Sequence, residues 1–280
     1  MIGVVGGGIM GAGIAYSIAS QMNCSVVLRE VSADAVGAAK QRFGGLVQRA
    51  AKRGTPAEIT DKWASRMQYT TELDAFSQAD MVVEAAFENL ELKRKIFVDL
   101  DRIVPAPKLL CTNTSGLPIS MIGGATRTPE RVIGTHFFNP VPVMKLVEIV
   151  TGIATSADTI AAARSFCEQL GKETIFVKDF PGFVVTRIGQ AMMAEAVRCL
   201  EQGVASAADI DRGMRLGYNY PMGPLELIDL IGVDTELRVM QSLFEELGET
   251  FRPSPLMKTM VAAGHLGRKS GRGFHVYKTE

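Results

Sequence analysis

The chain has 280 residues, 47% of them apolar and 21% charged, enough to bury the core of one large domain or of two smaller ones. Lys+Arg and Asp+Glu both number 30, and this zero net charge argues against a nucleic acid or an anionic membrane as partner. Four scattered cysteines, no apolar run of spanning length and no His/Cys/Asp/Glu cluster argue against a disulfide scaffold, a transmembrane helix and a metal site, and favour a reducing compartment, the cytoplasm.

The first element is a short apolar strand, Ile2-Gly3-Val4-Val5, with no targeting segment expected ahead of it. Gly6-Gly7-Gly8-Ile9-Met10-Gly11 follows, then small and apolar residues at helical spacing from Ala12 to Ala19. Gly6, Gly8 and Gly11 fit G-x-G-x-x-G. The first glycine serves the tight turn, the second the approach of backbone to a pyrophosphate, and the third close packing of helix on strand. The turn, Ile9 and Met10 included, would seat that pyrophosphate on the helix N-terminus. A second strand, Ser25-Val26-Val27-Leu28, ends at Arg29-Glu30, and Glu30 lies 24 residues after Gly6, where an acid binds the ribose hydroxyls of a dinucleotide. Glu30 would repel a 2′-phosphate, which favours NAD over NADP.

A helix is expected over Ala33 to Arg53, rich in Lys40, Arg42, Arg49, Lys52 and Arg53. Such a run is either a solvated face or a basic rim for a phosphate-bearing substrate. Strands are expected at 67–71, 79–86 and 108–112, with a helix from Leu90 to Ile103. Strands alternating with helices give a doubly wound, mostly parallel sheet, and ligands of such sheets collect at the carboxyl ends of strands. Glu30, Ala86-Phe87-Glu88 and Asn113-Thr114-Ser115 all follow strand ends.

The stretch Val132 to Val150 reads as strand, Pro-punctuated turn, strand, with the return limb expected from Val143. It holds His136, one of three histidines. If the limbs lie side by side, Glu148 comes level with it, and a carboxylate that accepts the imidazole N–H leaves the other ring nitrogen to move a proton. A helix from Ser156 to Leu170 and a strand at 174–177 complete an α/β, Rossmann-like domain over residues 1–182. Beyond Asp179-Phe180-Pro181-Gly182 the pattern is helical throughout: 191–200, 207–214, 224–231, 234–246 and 255–263. Residues 183–280 are therefore expected to be an all-helical domain for substrate binding and dimerisation, and the protein a homodimer through it.

These residues resemble the NAD-dependent L-3-hydroxyacyl-CoA dehydrogenases, including the 3-hydroxybutyryl-CoA dehydrogenases. The resemblance spans the chain. It rests on the 6–15 glycine turn, Val-Val-Glu-Ala-Ala-Phe-Glu-Asn (82–89), Asn-Thr-Ser (113–115), His-Phe-Phe-Asn-Pro-Val-Pro-Val-Met-Lys-Leu-Val-Glu (136–148), Lys-Asp-Phe-Pro-Gly-Phe-Val (178–184), Tyr-Pro-Met-Gly-Pro-Leu-Glu-Leu (220–227) and Gly-Arg-Lys-Ser-Gly-Arg-Gly-Phe (267–274). It implies an enzyme interconverting L-3-hydroxyacyl-CoA and 3-oxoacyl-CoA, short chains first, with NAD as cofactor and acyl-CoA as partner. His136 is implied as base and Glu148 as its orienting partner. Ser115 is implied to bind the substrate oxygen near the nicotinamide, and Glu88, Lys93, Ser115, Asn139 and Lys269 to contact NAD. Arg53 falls where the family has a lysine that meets the CoA phosphates. Leu46 falls where the family can use a serine for CoA, so that contact is absent or made differently. Thr186 stands where the family has an asparagine that helps hold the substrate oxygen. Two alternatives stay open: the same chemistry on an acyl-carrier-protein thioester, and a non-catalytic NAD-binding structural dimer.

Overall fold

The computed structural model describes residues 1–277. The chain divides into two compact units, Met1–Phe183 and Val184–Glu280. In the first unit, strands β1 (Ile2–Val5), β2 (Val26–Arg29), β3 (Met67–Thr70), β4 (Met81–Glu84), β5 (Leu109–Thr112), β6 (Val132–Phe137), β7 (Leu146–Thr151) and β8 (Glu173–Lys178) form one sheet in the order β3-β2-β1-β4-β5-β6-β7-β8. Every neighbouring pair is parallel except β6 with β7. Helices α1 (Ile9–Gln21), α2 (Ala33–Lys52), α3 (Ala57–Ser65), α4 (Leu90–Ile103), α5 (Ile119–Gly123) and α6 (Ala157–Gln169) connect the strands.

The sheet is buried on both faces, which is why its central strands read as unbroken apolar runs. Successive residues point to opposite faces. Val83 and Cys111 join the cluster built on Ile14, Ile18, Phe43 and Phe137, while Val82 and Leu110 join the one built on Phe76, Phe97, Leu100 and Ile119. The helices start where the sequence offers side-chain acceptors. Ser32, Asn89 and Ser156 accept the N–H of Ala35, Leu92 and Thr159.

The second unit consists of α7 (Val185–Glu201), α8 (Ala207–Tyr218), α9 (Pro224–Ile231), α10 (Val233–Leu247) and α11 (Pro255–Ala262) around Met193, Val197, Leu225, Ile228, Val233, Met240 and Met257. Buried Asp229 accepts the N–H of Phe274 and of His275 and the Tyr277 hydroxyl, each at 2.9 Å, and His275 reaches Asp211 at 2.7 Å. His275 thus anchors the terminal segment by packing and hydrogen bonding.

Three boundaries move by several residues from the sequence expectation and one helix was not expected. The return limb begins at Leu146, not Val143, because Val143 N–H and Met144 N–H both donate to the Pro140 carbonyl and prolong the turn. Helix α3 was not expected; it is nine residues long, and Trp63 on it packs edge-on against Tyr16 at 5.6 Å. Helix α7 starts at Val185 instead of Ala191, which puts Thr186 in its first turn. Helix α8 runs on to Tyr218 and stops at Asn219, whose φ of 57° is left-handed.

Candidate active site

The glycine turn between β1 and α1 is shaped by contact. Gly6 has φ +91°, and a Cβ there would lie 2.7 Å from the Ala85 carbonyl oxygen; a Cβ on Gly11 would lie 1.8 Å from that of Gly6. Nothing stands within 4 Å of a Cβ built on Gly8, so the second glycine leaves open space. The first turn of α1 carries no acid and no side-chain cap, so its N–H groups keep their donor capacity for an anion. Beside the turn, Glu30 accepts the Gly7 N–H at 2.6 Å and the Val31 N–H at 3.1 Å. Arg29 is committed elsewhere, donating to the Thr71 carbonyl at 3.0 Å. Open backbone, a helix N-terminus with donors to spare and a carboxylate at the end of the second strand fit a dinucleotide without a 2′-phosphate.

At the ends of β4 and β5 lies a second assembly. Glu84 is wholly buried and takes Lys93 Nζ on both oxygens at 2.7 and 2.9 Å, Thr112 Oγ1 at 2.6 Å and the Ala86 N–H at 2.6 Å. Burial raises its carboxyl pKa, and these donors pull the other way. Lys93 Nζ also stands 3.5 Å from Glu88, whose other oxygen accepts the Thr114 hydroxyl and, at 2.9 Å, the Ser115 N–H. The Lys93 side chain is 0% exposed. Its ammonium donates to both oxygens of Glu84 and stands beside Glu88. Glu88 is 43% exposed and Ser115 is exposed, so both remain open to a ligand.

The third segment carries the dyad. The antiparallel register of β6 and β7 sets His136 opposite Glu148, with Nδ1 and Oε2 2.7 Å apart and both side chains buried. The rings of Phe138 and Phe183 lie 4.5 and 5.8 Å from the imidazole. Asn113 ties this strand to the neighbouring loop by accepting the Phe137 N–H at 2.9 Å. Three contributors were not singled out from the sequence. Phe183 adopts φ 51°, an unusual conformation for a bulky residue. Buried Lys172 donates to the Val141 and Met144 carbonyls at 2.6 and 2.8 Å and so braces the turn after His136; burial lowers its pKa. Glu84 left a readable signal, an acid at the end of an otherwise apolar buried strand; the other two left none.

A groove of about 910 Å³ runs between α1, α2 and the turn Asn139–Val143. Arg42, Arg49 and Arg53 line it, with Leu46 among its apolar residues. Asn139 is exposed there. Thr186 and Lys269 belong to the helical unit, and Lys269 pairs with Asp234, whose carboxyl it holds below the usual range. No group of three metal-ligating side chains occurs among the described residues, and none of their helices is long and apolar enough to cross a membrane.

The model of the 3-hydroxyacyl-CoA dehydrogenase NAD binding domain matches residues 1–180, and that of the C-terminal domain of the same enzymes matches residues 182–277. The chain belongs to the 3-hydroxyacyl-CoA dehydrogenase family. It is 44% identical to a probable 3-hydroxybutyryl-CoA dehydrogenase of Bacillus subtilis, over 98% of this chain and 96% of that one. It is 43% identical to the 3-hydroxybutyryl-CoA dehydrogenase of Bradyrhizobium diazoefficiens, over 99% and 95%. The crystal structure of (S)-3-hydroxybutyryl-CoA dehydrogenase PaaH1 from Ralstonia eutropha superposes with a TM-score of 0.94 at 43% identity, covering 99% of each chain. As in that family, the first unit is the NAD-binding domain and NAD the cofactor.

Proposed function

We propose that this dehydrogenase interconverts L-3-hydroxyacyl-CoA and 3-oxoacyl-CoA, with 3-hydroxybutyryl-CoA as the preferred size of substrate. The observation that carries the reading is the buried His136–Glu148 pair, 2.7 Å apart across β6 and β7, with the end of β6 bonded to Asn113. NAD, held by the residues assigned to it below, would supply the hydride chemistry at substrate C3. The chain supplies the proton chemistry. Glu148 accepts Nδ1–H and so leaves Nε2 as the nitrogen that takes the 3-hydroxyl proton; the imidazolium that forms is stabilised by the carboxylate. In the reverse direction Nε2–H gives the proton back to the 3-oxygen. The exposed Ser115 hydroxyl and Thr186 are assigned to that oxygen as charge develops on it. Glu30, the Gly6–Gly11 backbone with Ile9 and Met10, Glu88, Lys93, Ser115, Asn139 and Lys269 are assigned to NAD, and Arg53 to the CoA phosphates.

The groove favours CoA over an acyl carrier protein. Its three arginines match the phosphate-rich end of a free CoA, whereas Leu46 offers that end no hydrogen bond. Homodimerisation through the helical unit is supported by the apolar side chains it exposes, Ile188, Leu216 and Tyr218 among them. A cytoplasmic setting is supported by four cysteines, all unpaired. The test is NADH formation from L-3-hydroxybutyryl-CoA and from the same acyl group on acyl carrier protein, by the parent and by His136→Gln. The expectation is turnover of the CoA thioester and its loss in a folded variant. A folded parent that binds NADH yet turns over neither thioester would sink the reading.

A further inference from the structure

We infer that Arg42 couples the two ligand sites of the first unit, so that a CoA phosphate in the groove tightens the hold of the glycine turn on the cofactor; the inference rests on the function proposed above. Arg42 belongs to both places at once. It lines the groove beside Arg49 and Arg53, and its Nη1 donates to the Gly7 carbonyl at 3.2 Å. A guanidinium presents several N–H donors in a planar fork, so this bond leaves others to meet a phosphate.

The bond reaches the turn at a sensitive point. Gly7 is held from both sides, its N–H by Glu30 at 2.6 Å and its carbonyl by Arg42. The peptide between Gly7 and Gly8 is planar, so its carbonyl and its N–H point in opposite directions. With the carbonyl turned to Arg42, the Gly8 N–H is turned away from it, at the N-cap of α1 where the pyrophosphate is expected. Helix α2 is also seated on this residue. A Cβ on Gly7 would lie 2.4 Å from that of Ala39, which stands one turn before Arg42 on the same helix face. The groove in its turn is walled in part by α1, through Ile9, Ala12 and Gly13. Turn and groove thus share two helices and one guanidinium. Arg42 is exposed, and a single bond at 3.2 Å from an exposed side chain adds little to folding and leaves that side chain free to swing away. A phosphate that takes its spare donors holds it at the Gly7 carbonyl. Ordering completed by one ligand is spared the other, and the coupling is equal in either order of binding.

The experiment measures NADH binding by fluorescence with and without saturating free CoA, on the parent, Arg42→Met and Arg49→Met, with melting curves for each. In the parent, CoA is expected to lower the NADH dissociation constant by about 5-fold, and NADH to lower that of CoA by the same factor. Arg42→Met keeps an apolar stem and loses the guanidinium. It is expected to bind both ligands, with an effect of CoA on NADH below about 1.5-fold. Arg49 lines the groove about two turns further along α2. Arg49→Met is expected to bind CoA more weakly and, once saturated, to keep the parental coupling. A parent whose NADH affinity ignores CoA would overturn the inference, and so would an Arg42→Met protein that keeps the coupling. An equal loss of coupling in Arg49→Met would also overturn it, because the charge of the groove and not the bond to Gly7 would then carry the effect. A parent that binds NADH but no CoA removes the groove assignment and this inference together; a parent that binds both without coupling removes the inference alone.

Discussion

Replacing Glu148 by Gln tests the dyad at its most specific point. The side chain is wholly buried in β7, between β6 and β8, so an isosteric amide keeps the volume and the sheet register. It also keeps an oxygen that can accept Nδ1–H, so the tautomer survives. What disappears is the negative charge 2.7 Å from the ring nitrogen. Two unit charges with centres about 4 Å apart interact by roughly 4 kcal/mol at an effective dielectric near 20. If most of that favours the transition state, in which the imidazolium is forming, kcat for oxidation falls by about 10²- to 10³-fold.

The assay is NADH absorbance in both directions, with melting curves to verify folding. A Glu148→Gln enzyme within about 3-fold of parental kcat would refute the dyad argument.

Three further outcomes are expected. Burial pushes the Glu236 carboxyl in α10 above the ordinary glutamate range, against the hydrogen bond from Gln190, so the folded state holds its proton more tightly than the unfolded chain. That contribution to stability is complete below the unfolded pKa and is lost as pH rises through the raised folded value. From about pH 4.5 upward the melting temperature of the parent should therefore decline relative to that of Glu236→Gln, and parallel curves would exclude it. Gly11→Ala should abolish NADH binding and lower the melting temperature by several degrees, since its Cβ would meet backbone at 1.8 Å; normal binding would disprove that close approach. Thr186→Asn restores an amide and should raise kcat roughly 5-fold, worth about 1 kcal/mol for one hydrogen bond to the substrate oxygen; an unchanged kcat would remove Thr186 from that role.

The sheet was legible because its strands are buried on both faces and bounded by glycine or proline. The glycine turn was legible because close approach to backbone admits no other residue. The pairing of His136 with Glu148 could be anticipated from their count along a hairpin, even though the return limb starts three residues later than the β-branched pattern implied. That shift changes the length of the turn and not the register, which the side-chain alternation fixes. Thr186 fell ahead of the helix expected from 191 because α7 begins in β-branched residues, which carry little helical signal of their own. The ion pair of Lys93 with Glu84 was not legible at all, because the two meet only when both are buried at the end of β4.

Glu84 and Glu148 make the general point. Each is a carboxylate at zero exposure in a strand of one sheet, and in sequence each looks like an acid near a strand end. They part company at their partners. Glu84 meets an ammonium, which has only donors to give, and a hydroxyl and an amide whose positions it fixes. Such a carboxylate can hold geometry and do no more. Glu148 meets an imidazole, whose second nitrogen lies on the far side of the ring and can take or give a proton while the first stays bonded. The same desolvated charge therefore serves as a clamp at the end of β4 and, in the function proposed, as one end of a proton-handling pair in β7. The identity of the donor, more than the acid itself, divides positioning from chemistry in this sheet.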